Sequence, residues 1–127
     1  MPKLLMHSLI RYPCAMIKHE NKSLISGTLN SIILALLKEN ESMYGYEICC
    51  QVNEKTKNNI QLKEGAIYPA LHKLEKKGLI TSEKKEVNGR VRKYYAIVKS
   101  KQKIAEEQIK QTYQFAQLIQ GLIKPAL

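Results

Sequence analysis

Tryptophan is absent from the 127-residue sequence, phenylalanine occurs once, and cysteine occurs three times. With so few aromatic residues besides its seven tyrosines, the chain has little with which to stack on single-stranded nucleic acid. Cys14, Cys49 and Cys50 are odd in number and lack the spacing of a disulfide framework or a zinc site. We therefore expect a reducing, cytoplasmic compartment, no metal and no cofactor. Cys49 and Cys50 are either an oxidant sensor or small buried helix residues.

Catalytic and membrane signals are also missing. The sequence has no nucleophile with a nearby base, no carboxylate pair in an apolar context and no phosphate-binding glycine loop, so we expect no enzyme and assign no catalytic residue. No apolar run approaches the about 20 residues that cross a bilayer. Residues 1–20 have an apolar stretch without a cleavage site, and Pro13 weakens the alternative of an amphipathic membrane anchor.

Acidic residues are scarce relative to basic ones. There are 11 Asp and Glu against 21 Lys and Arg, which gives a formal net charge of +10. A polyanion is therefore the expected partner, and duplex DNA fits best. The excess is concentrated between Lys63 and Lys103, where twelve basic residues stand against four acidic ones. The alternative is that these lysines simply lie on solvated helix faces.

Apolar spacing predicts three helices in the first two thirds of the chain. The first runs from Leu24 to Glu39, and its predicted buried stripe is Leu29, Ile32, Ile33, Leu36 and Leu37. The second has Ser42 as its candidate N-cap and ends near Lys57. The third is stopped by Gly78, a C-terminal glycine cap. The predicted buried stripe of the second helix is Tyr44, Ile48 and Val52, and that of the third is Ile67, Ala70, Leu71 and Leu74.

The dipeptide Asn88-Gly89 between two extended runs predicts a two-stranded hairpin, or wing. If these residues form the turn, Val87 lies opposite Arg90 and the two faces of the hairpin follow from alternation. The face expected to pack on the helices carries Ile80, Val91, Tyr95 and Ile97. The face expected to meet solvent or phosphate carries Glu83, Lys85, Arg90, Arg92 and Tyr94.

A fourth helix, with Ser100 as candidate N-cap, follows the wing. Its apolar stripe is too broad to be buried on one small domain, so we expect a second subunit to cover it in a homodimer. The predicted interface is Ile104, Ile109, Tyr113, Phe115, Ala116, Leu118, Ile119, Leu122 and Ile123.

The predicted fold class is mainly α with a small β-hairpin wing (α+β), that is, a winged helix-turn-helix followed by a C-terminal dimerisation helix. At this length we expect one functional unit. Residues 1–23 would be an N-terminal extension, 24–98 the winged helix-turn-helix domain and 99–127 the dimerisation helix.

Three blocks of sequence resemble the signature of the PadR family in order and spacing. They are Met43-Tyr44-Gly45-Tyr46-Glu47-Ile48, the run from Glu64 to Ile80, and Arg92-Lys93-Tyr94-Tyr95. The resemblance implies a transcriptional regulator, usually a repressor, that dimerises through its last helix. The third helix would read a palindromic operator and the wing would touch the DNA backbone or minor groove. Lys63 and Ala66 stand where family members often have hydroxyl residues.

Charge and resemblance together predict the residues that contact DNA. Arg90, Arg92 and Lys93 cluster at the hairpin tip, where charge serves no core. The full predicted set is Lys63, Ala66, Tyr68, Pro69, Lys73, Lys76, Lys77, Arg90, Arg92, Lys93 and Tyr94.

Two other kinds of binding are compatible with the same residues. A winged helix can also act as a protein-interaction module without specific DNA binding. The resemblance further suggests that some relatives bind small effectors between subunits. Tyr113, Phe115, Leu118 and Ile119 would suit such a pocket, although a dimer core needs the same residue types, and the sequence identifies no effector.

Overall fold

The computed structural model describes residue 25 and residues 27–124. The predicted N-terminal extension lies outside the described residues. The helices are α1 (Leu29–Asn40), α2 (Gly45–Lys55), α3 (Glu64–Lys76) and α4 (Gln102–Leu122), and a 3-10 turn, Lys99–Lys101, precedes α4. The strands are β1 (Met43–Tyr44), β2 (Ile80–Val87) and β3 (Arg90–Ile97). This α+β arrangement confirms the predicted fold class.

The first three helices enclose the core together with the base of the sheet. Each helix contributes side chains at helical spacing, and residues such as Ile33, Ile48 and Leu71 are fully buried. The sheet adds Ile80 and Tyr95 from the end of the hairpin nearest the helices. The buried hydrophobic residues are Leu29, Ile33, Leu34, Leu36, Leu37, Met43, Ile48, Cys49, Val52, Leu62, Ile67, Leu71, Leu74, Leu79, Ile80, Tyr95, Ile97 and Ala105.

The start of the first helix differs from the prediction. A turn at Gly27 and Thr28 separates α1 from the residues before it, and the Thr28 N–H donates to the Ile25 carbonyl at 3.0 Å. Glycine is a poor helix former, so the predicted continuous helix from Leu24 is wrong at this point. From Leu29 onward the apolar stripe is buried as predicted, with Ile32 half-buried at its edge.

The start of the second helix also differs. The predicted N-cap Ser42 is wrong, because Tyr44 occupies that position with extended backbone. The Tyr44 N–H donates to the Glu47 side chain at 3.1 Å, which satisfies a backbone donor at the start of α2. Tyr44 therefore lies in strand β1 and not in the buried stripe of α2, whereas Ile48 and Val52 are buried as predicted.

The end of the third helix matches the prediction. Gly78 has φ of +79°, the left-handed conformation that glycine adopts without strain. The Leu79 N–H donates to the Leu74 carbonyl at 3.1 Å and the Gly78 N–H to the Glu75 carbonyl at 3.0 Å. These two bonds form a Schellman motif. Pro69 lies within α3.

The hairpin has the predicted turn and register. Val87 pairs with Arg90, and Asn88 and Gly89 have φ of 54° and 78°, as a type I′ turn requires. The sheet has a third strand that the sequence did not predict, because β1 pairs antiparallel with β3 and gives the order β1-β3-β2. Val91 was expected to be buried but is 66% exposed, because the outer half of the hairpin projects beyond the core.

Helix α4 packs antiparallel along α1. The hydroxyls of Ser31 and Thr112 are 2.6 Å apart, and Lys38 Nζ lies 3.0 Å from Glu106 Oε2. The predicted N-cap Ser100 is wrong, because it lies inside the 3-10 turn and Lys101 precedes the helix without a side-chain cap.

Candidate nucleic-acid interface

The surface of α3 opposite the core carries small side chains and basic side chains. Because Ile67, Leu71 and Leu74 face the core, the residues on the other side of the helix are held at the surface. Four predicted contact residues are spaced i, i+3, i+7 and i+10 on this exposed side, which places them in one line. They are Ala66, Pro69, Lys73 and Lys76, and all four are exposed.

Lys63 and Lys77 extend this surface at the two ends of α3. Lys63 is the N-cap residue with extended backbone and Lys77 is the C-cap residue, and both are exposed. In the part of the chain that the structure describes, the ion pairs join Lys38 to Glu106, Lys55 to Glu39, and Lys93 to Glu75. None of the lysines of the α3 surface is neutralised in this way.

Tyr68 lies at the edge of the α3 surface, with its ring against the backbone of Gly45. Its hydroxyl donates to Glu64 Oε2 at 3.5 Å, and the side chain is 44% exposed. Partial burial is the main cause that raises the pKa of Tyr68 above its usual value, and the nearby Glu64 carboxylate raises it further. The hydroxyl therefore stays protonated at neutral pH and can donate a hydrogen bond.

The outer face of the wing carries cations stacked on aromatic rings. The register places Arg90, Arg92 and Tyr94 on this face, as predicted. The Arg92 guanidinium carbon lies 4.3 Å from the centroid of the Tyr44 ring, and Lys85 Nζ lies 5.1 Å from that of Tyr94. Both distances are within the range of cation–π contacts.

Lys93 lies on the other face of the hairpin. Its Nζ is 3.9 Å from Glu75 Oε1 on α3 and 5.7 Å from the centroid of the Tyr95 ring. Glu75 also accepts a hydrogen bond of 2.7 Å from the Ser82 hydroxyl. The Lys93 ammonium is thus directed toward Glu75 on α3, unlike the side chains of Arg90 and Arg92 on the opposite face of the hairpin.

A shallow groove of about 240 Å³ separates the starts of α2 and α3 from the wing. It brings together the predicted residues Tyr68, Arg90, Arg92 and Lys93. It also contains residues outside the predicted contact set, namely Tyr44, Tyr46, Glu64 and Val91. The Met43-Tyr44-Gly45-Tyr46 block was the available signal for the two tyrosines, but their place beside the wing depends on the β1–β3 pairing.

Neither a metal centre nor a membrane span is found in the described part of the chain. Among residue 25 and residues 27–124, no three His, Cys, Asp or Glu side chains are grouped so that they could hold a metal ion. No helix in the same residues is both long and apolar enough to cross a bilayer. Cys49 is buried, and burial raises the pKa of its thiol to about 11, whereas Cys50 is exposed.

Helix α4 has a large exposed apolar surface. Tyr113, Phe115 and Leu118 are 65%, 61% and 66% exposed. Tyr113 and Phe115 point to different sides of the helix, because two residues correspond to about 200° of rotation. Of the predicted interface residues, Ile109 and Ile119 are half-buried. The exposed ones are Ile104, Tyr113, Phe115, Ala116, Leu118, Leu122 and Ile123.

Three helices around a core, a hairpin beyond the third helix and a long final helix define a winged helix-turn-helix protein. The chain belongs to the transcriptional regulator PadR-like family, whose model matches residues 33–107. An uncharacterised protein, protein X of Lysinibacillus sphaericus, is 36% identical over 97 residues, which cover 76% of this chain and 88% of that protein.

Solved structures agree with this assignment. A transcriptional regulator from Clostridium thermocellum is 34% identical with a TM-score of 0.67, and the match covers 80% of this chain and 95% of that one. A PadR family transcription regulator from Clostridium difficile is 32% identical with a TM-score of 0.62, covering 77% and 99% of the two chains. These relatives are named as regulators of transcription and not as enzymes.

Proposed function

We propose that this protein is a cytoplasmic transcriptional repressor that binds a palindromic operator as a homodimer. In this proposal α3 enters the major groove and the wing follows the phosphate backbone. The observation that carries the proposal is the exposed basic surface of α3, whose lysines have no acidic partner within 4 Å in residues 27–124, beside a wing bearing Arg90 and Arg92.

The chemistry of this surface suits a duplex. Ala66 and Pro69 are small and exposed, so at these two positions of α3 no long side chain obstructs close approach to base edges. Lys63 lies N-terminal to that area and Lys73, Lys76 and Lys77 lie C-terminal to it, so cations on both sides can meet phosphates across the groove of a duplex. Each phosphate that a cation neutralises releases counterions and steepens the fall of log affinity with log salt by about 0.9.

DNA affinity at two ionic strengths tests this proposal. Fluorescence anisotropy of a labelled duplex at about 50 and about 200 mM salt gives the slope of log affinity against log salt. We expect Lys73→Ala and Arg90→Ala each to weaken binding and to reduce the slope by about 1. Lys55→Ala is the matched control, since Lys55 also carries one positive charge. Lys55 lies at the end of α2, away from the wing, and pairs with Glu39 on α1.

The outcomes separate DNA binding from the alternative of a protein-interaction module. Equal effects of Lys55→Ala and Lys73→Ala would show that only net charge matters and that α3 does not contact the duplex. Absence of duplex binding at low salt, together with protein partners that duplex competitor fails to displace, would favour the interaction module. Recovery of palindromic fragments near promoters from source DNA would support an operator, and a reporter assay would distinguish repression from activation.

The homodimer is proposed from the apolar surface of α4. Exposed side chains such as Phe115, Leu118 and Leu122 recur at helical spacing and form a patch that water disfavours. We expect Leu118→Glu to give a monomer by light scattering on a sizing column and to weaken operator binding. Gln117→Glu, which adds the same charge at a neighbouring exposed position, should remain a dimer. A wild-type protein that is monomeric at all concentrations would refute this part of the proposal.

A further inference from the structure

Tyr44 holds Arg92 in a defined place on the wing. The guanidinium carbon lies 4.3 Å from the ring centroid, well inside the limit of about 6 Å for a cation–π contact. The Tyr44 ring is itself fixed, because it makes an edge contact with the Tyr94 ring at 5.3 Å and its backbone pairs with Tyr94 in the sheet. The support for Arg92 thus comes from β1, and so from the chain segment that leads into α2.

The contact with Tyr44 does not occupy the N–H donors of Arg92. The guanidinium carbon lies over the ring and its charge is attracted by the negative face of the ring, while the N–H groups are the part of the side chain that binds phosphate or carboxylate. Within residues 27–124 no carboxylate oxygen lies within 4 Å of these groups, since the ion pairs there all involve lysines. Arg92 lines the groove between the wing and α3, together with Arg90 and the tyrosines Tyr46 and Tyr68.

We propose that Tyr44 is a positioning residue for DNA binding, which orders the Arg92 guanidinium so that it binds one backbone phosphate in this groove. The proposal rests on the proposed DNA-binding function. An arginine that is ordered before binding loses less side-chain entropy when the phosphate arrives. Glu64 also lines the groove and repels a phosphate, so binding there depends on well-placed cations and not on the average charge of the lining.

A double-mutant cycle tests whether Tyr44 acts through Arg92. The variants are Tyr44→Leu, Arg92→Ala and the combination, measured by duplex anisotropy at the two salt concentrations. We expect Arg92→Ala to weaken binding about tenfold, as for one charge-assisted contact, and to lower the salt slope by about 0.9. Tyr44→Leu should cost about two- to fivefold, the strength of a cation–π contact. The combination should be no weaker than Arg92→Ala alone.

Ring variants at position 44 distinguish positioning from packing. Tyr44→Phe keeps the aromatic face and should retain wild-type affinity. Pentafluorophenylalanine at the same position keeps the shape and the packing but removes the negative face of the ring, so it should weaken binding as Tyr44→Leu does. This comparison also covers the case in which Tyr44→Leu fails to fold, since thermal unfolding should show both ring variants to be folded, with a difference in stability no larger than the weakened contacts of the ring with Arg92 and Tyr94 explain.

The outcomes are distinct. Multiplicative effects of Tyr44→Leu and Arg92→Ala, or equal affinities of the two ring variants, would overturn the positioning role while leaving DNA binding intact. Wild-type protein that binds no duplex would instead refute the proposed function itself.

Discussion

Gly45 and Tyr68 should be strongly coupled in stability. A Cβ added at Gly45 would lie 2.7 Å from Tyr68 Cε1 and 2.8 Å from Cζ, much closer than carbon atoms approach without displacement. Gly45 begins α2 and is not among the described residues with positive φ, so the backbone itself accepts alanine. The effect of Gly45→Ala is therefore decided by whether the Tyr68 ring is present.

The magnitude follows from two opposing effects. Removing glycine restricts the unfolded chain and stabilises the protein by about 0.4–1 kcal/mol. Displacing the Tyr68 ring, which is 44% exposed, loses about half of the free energy of burying a large side chain, or about 1 kcal/mol, with strain in addition. We expect Gly45→Ala to lower the free energy of unfolding by about 1 kcal/mol in the wild type, but to raise it by about 0.5 kcal/mol in a Tyr68→Ala background.

Urea unfolding of the four proteins measures this coupling, with thermal unfolding as a second assay. A loss of 1 kcal/mol in a domain of this size lowers Tm by about 3–5 °C. A change of sign between the two backgrounds would confirm that the Tyr68 ring is the obstacle. The same destabilisation by Gly45→Ala in both backgrounds would refute this reasoning and place the constraint in the backbone of α2.

The charge of Glu64, the backbone at Gly78 and the exposure of the two adjacent thiols each allow a further test. Glu64→Gln should strengthen duplex binding about threefold, because it removes a repulsive charge from the groove. It should also lower the free energy of unfolding by about 0.3–1 kcal/mol, because Glu64 lies in the first turn of α3. An increase in both duplex affinity and stability to urea, or a decrease in both, would contradict this. Gly78→Ala should lower the free energy of unfolding by about 1–2 kcal/mol, because φ is +79° even though the added Cβ meets no atom. Gly65→Ala is the control and should stabilise the protein, because Gly65 lies inside α3. A thiolate-specific reagent should label exposed Cys50 at about pH 8, as detected by peptide mass spectrometry. Buried Cys49, with a pKa of about 11, should react only as the pH rises toward that value. Equal labelling of both thiols at the lower pH would show that Cys49 is accessible.

The elements that the sequence predicted correctly depend on local chemistry. Asn88-Gly89 gave the turn and register of the hairpin because only residues that tolerate positive φ form a type I′ turn. Gly78 marked the end of α3 for the same reason. The stripe Ile67, Leu71 and Leu74 identified the buried side of α3, and therefore also its exposed side.

The elements that it missed depend on partners that are distant in sequence. β1 has two residues, which is too short to show an alternating pattern, and it exists because Met43 and Tyr44 pair with β3. Because of that pairing, Tyr44 lies in β1 and not in the helix in which it was predicted. Val91 alternates correctly with its neighbours, but the outer half of the hairpin extends past the helices that would have covered it.

For the candidate interface, the sequence by itself determined the types of residue, the exposed side of α3 and the pairing within the wing. These follow from periodicity and turn chemistry, which act over a few residues. The tertiary structure alone decided which charges are available. It placed Lys93 against Glu75, stacked Arg92 on Tyr44, and set Tyr68 against Gly45, because each of these contacts joins elements whose distance depends on the packing of the whole core.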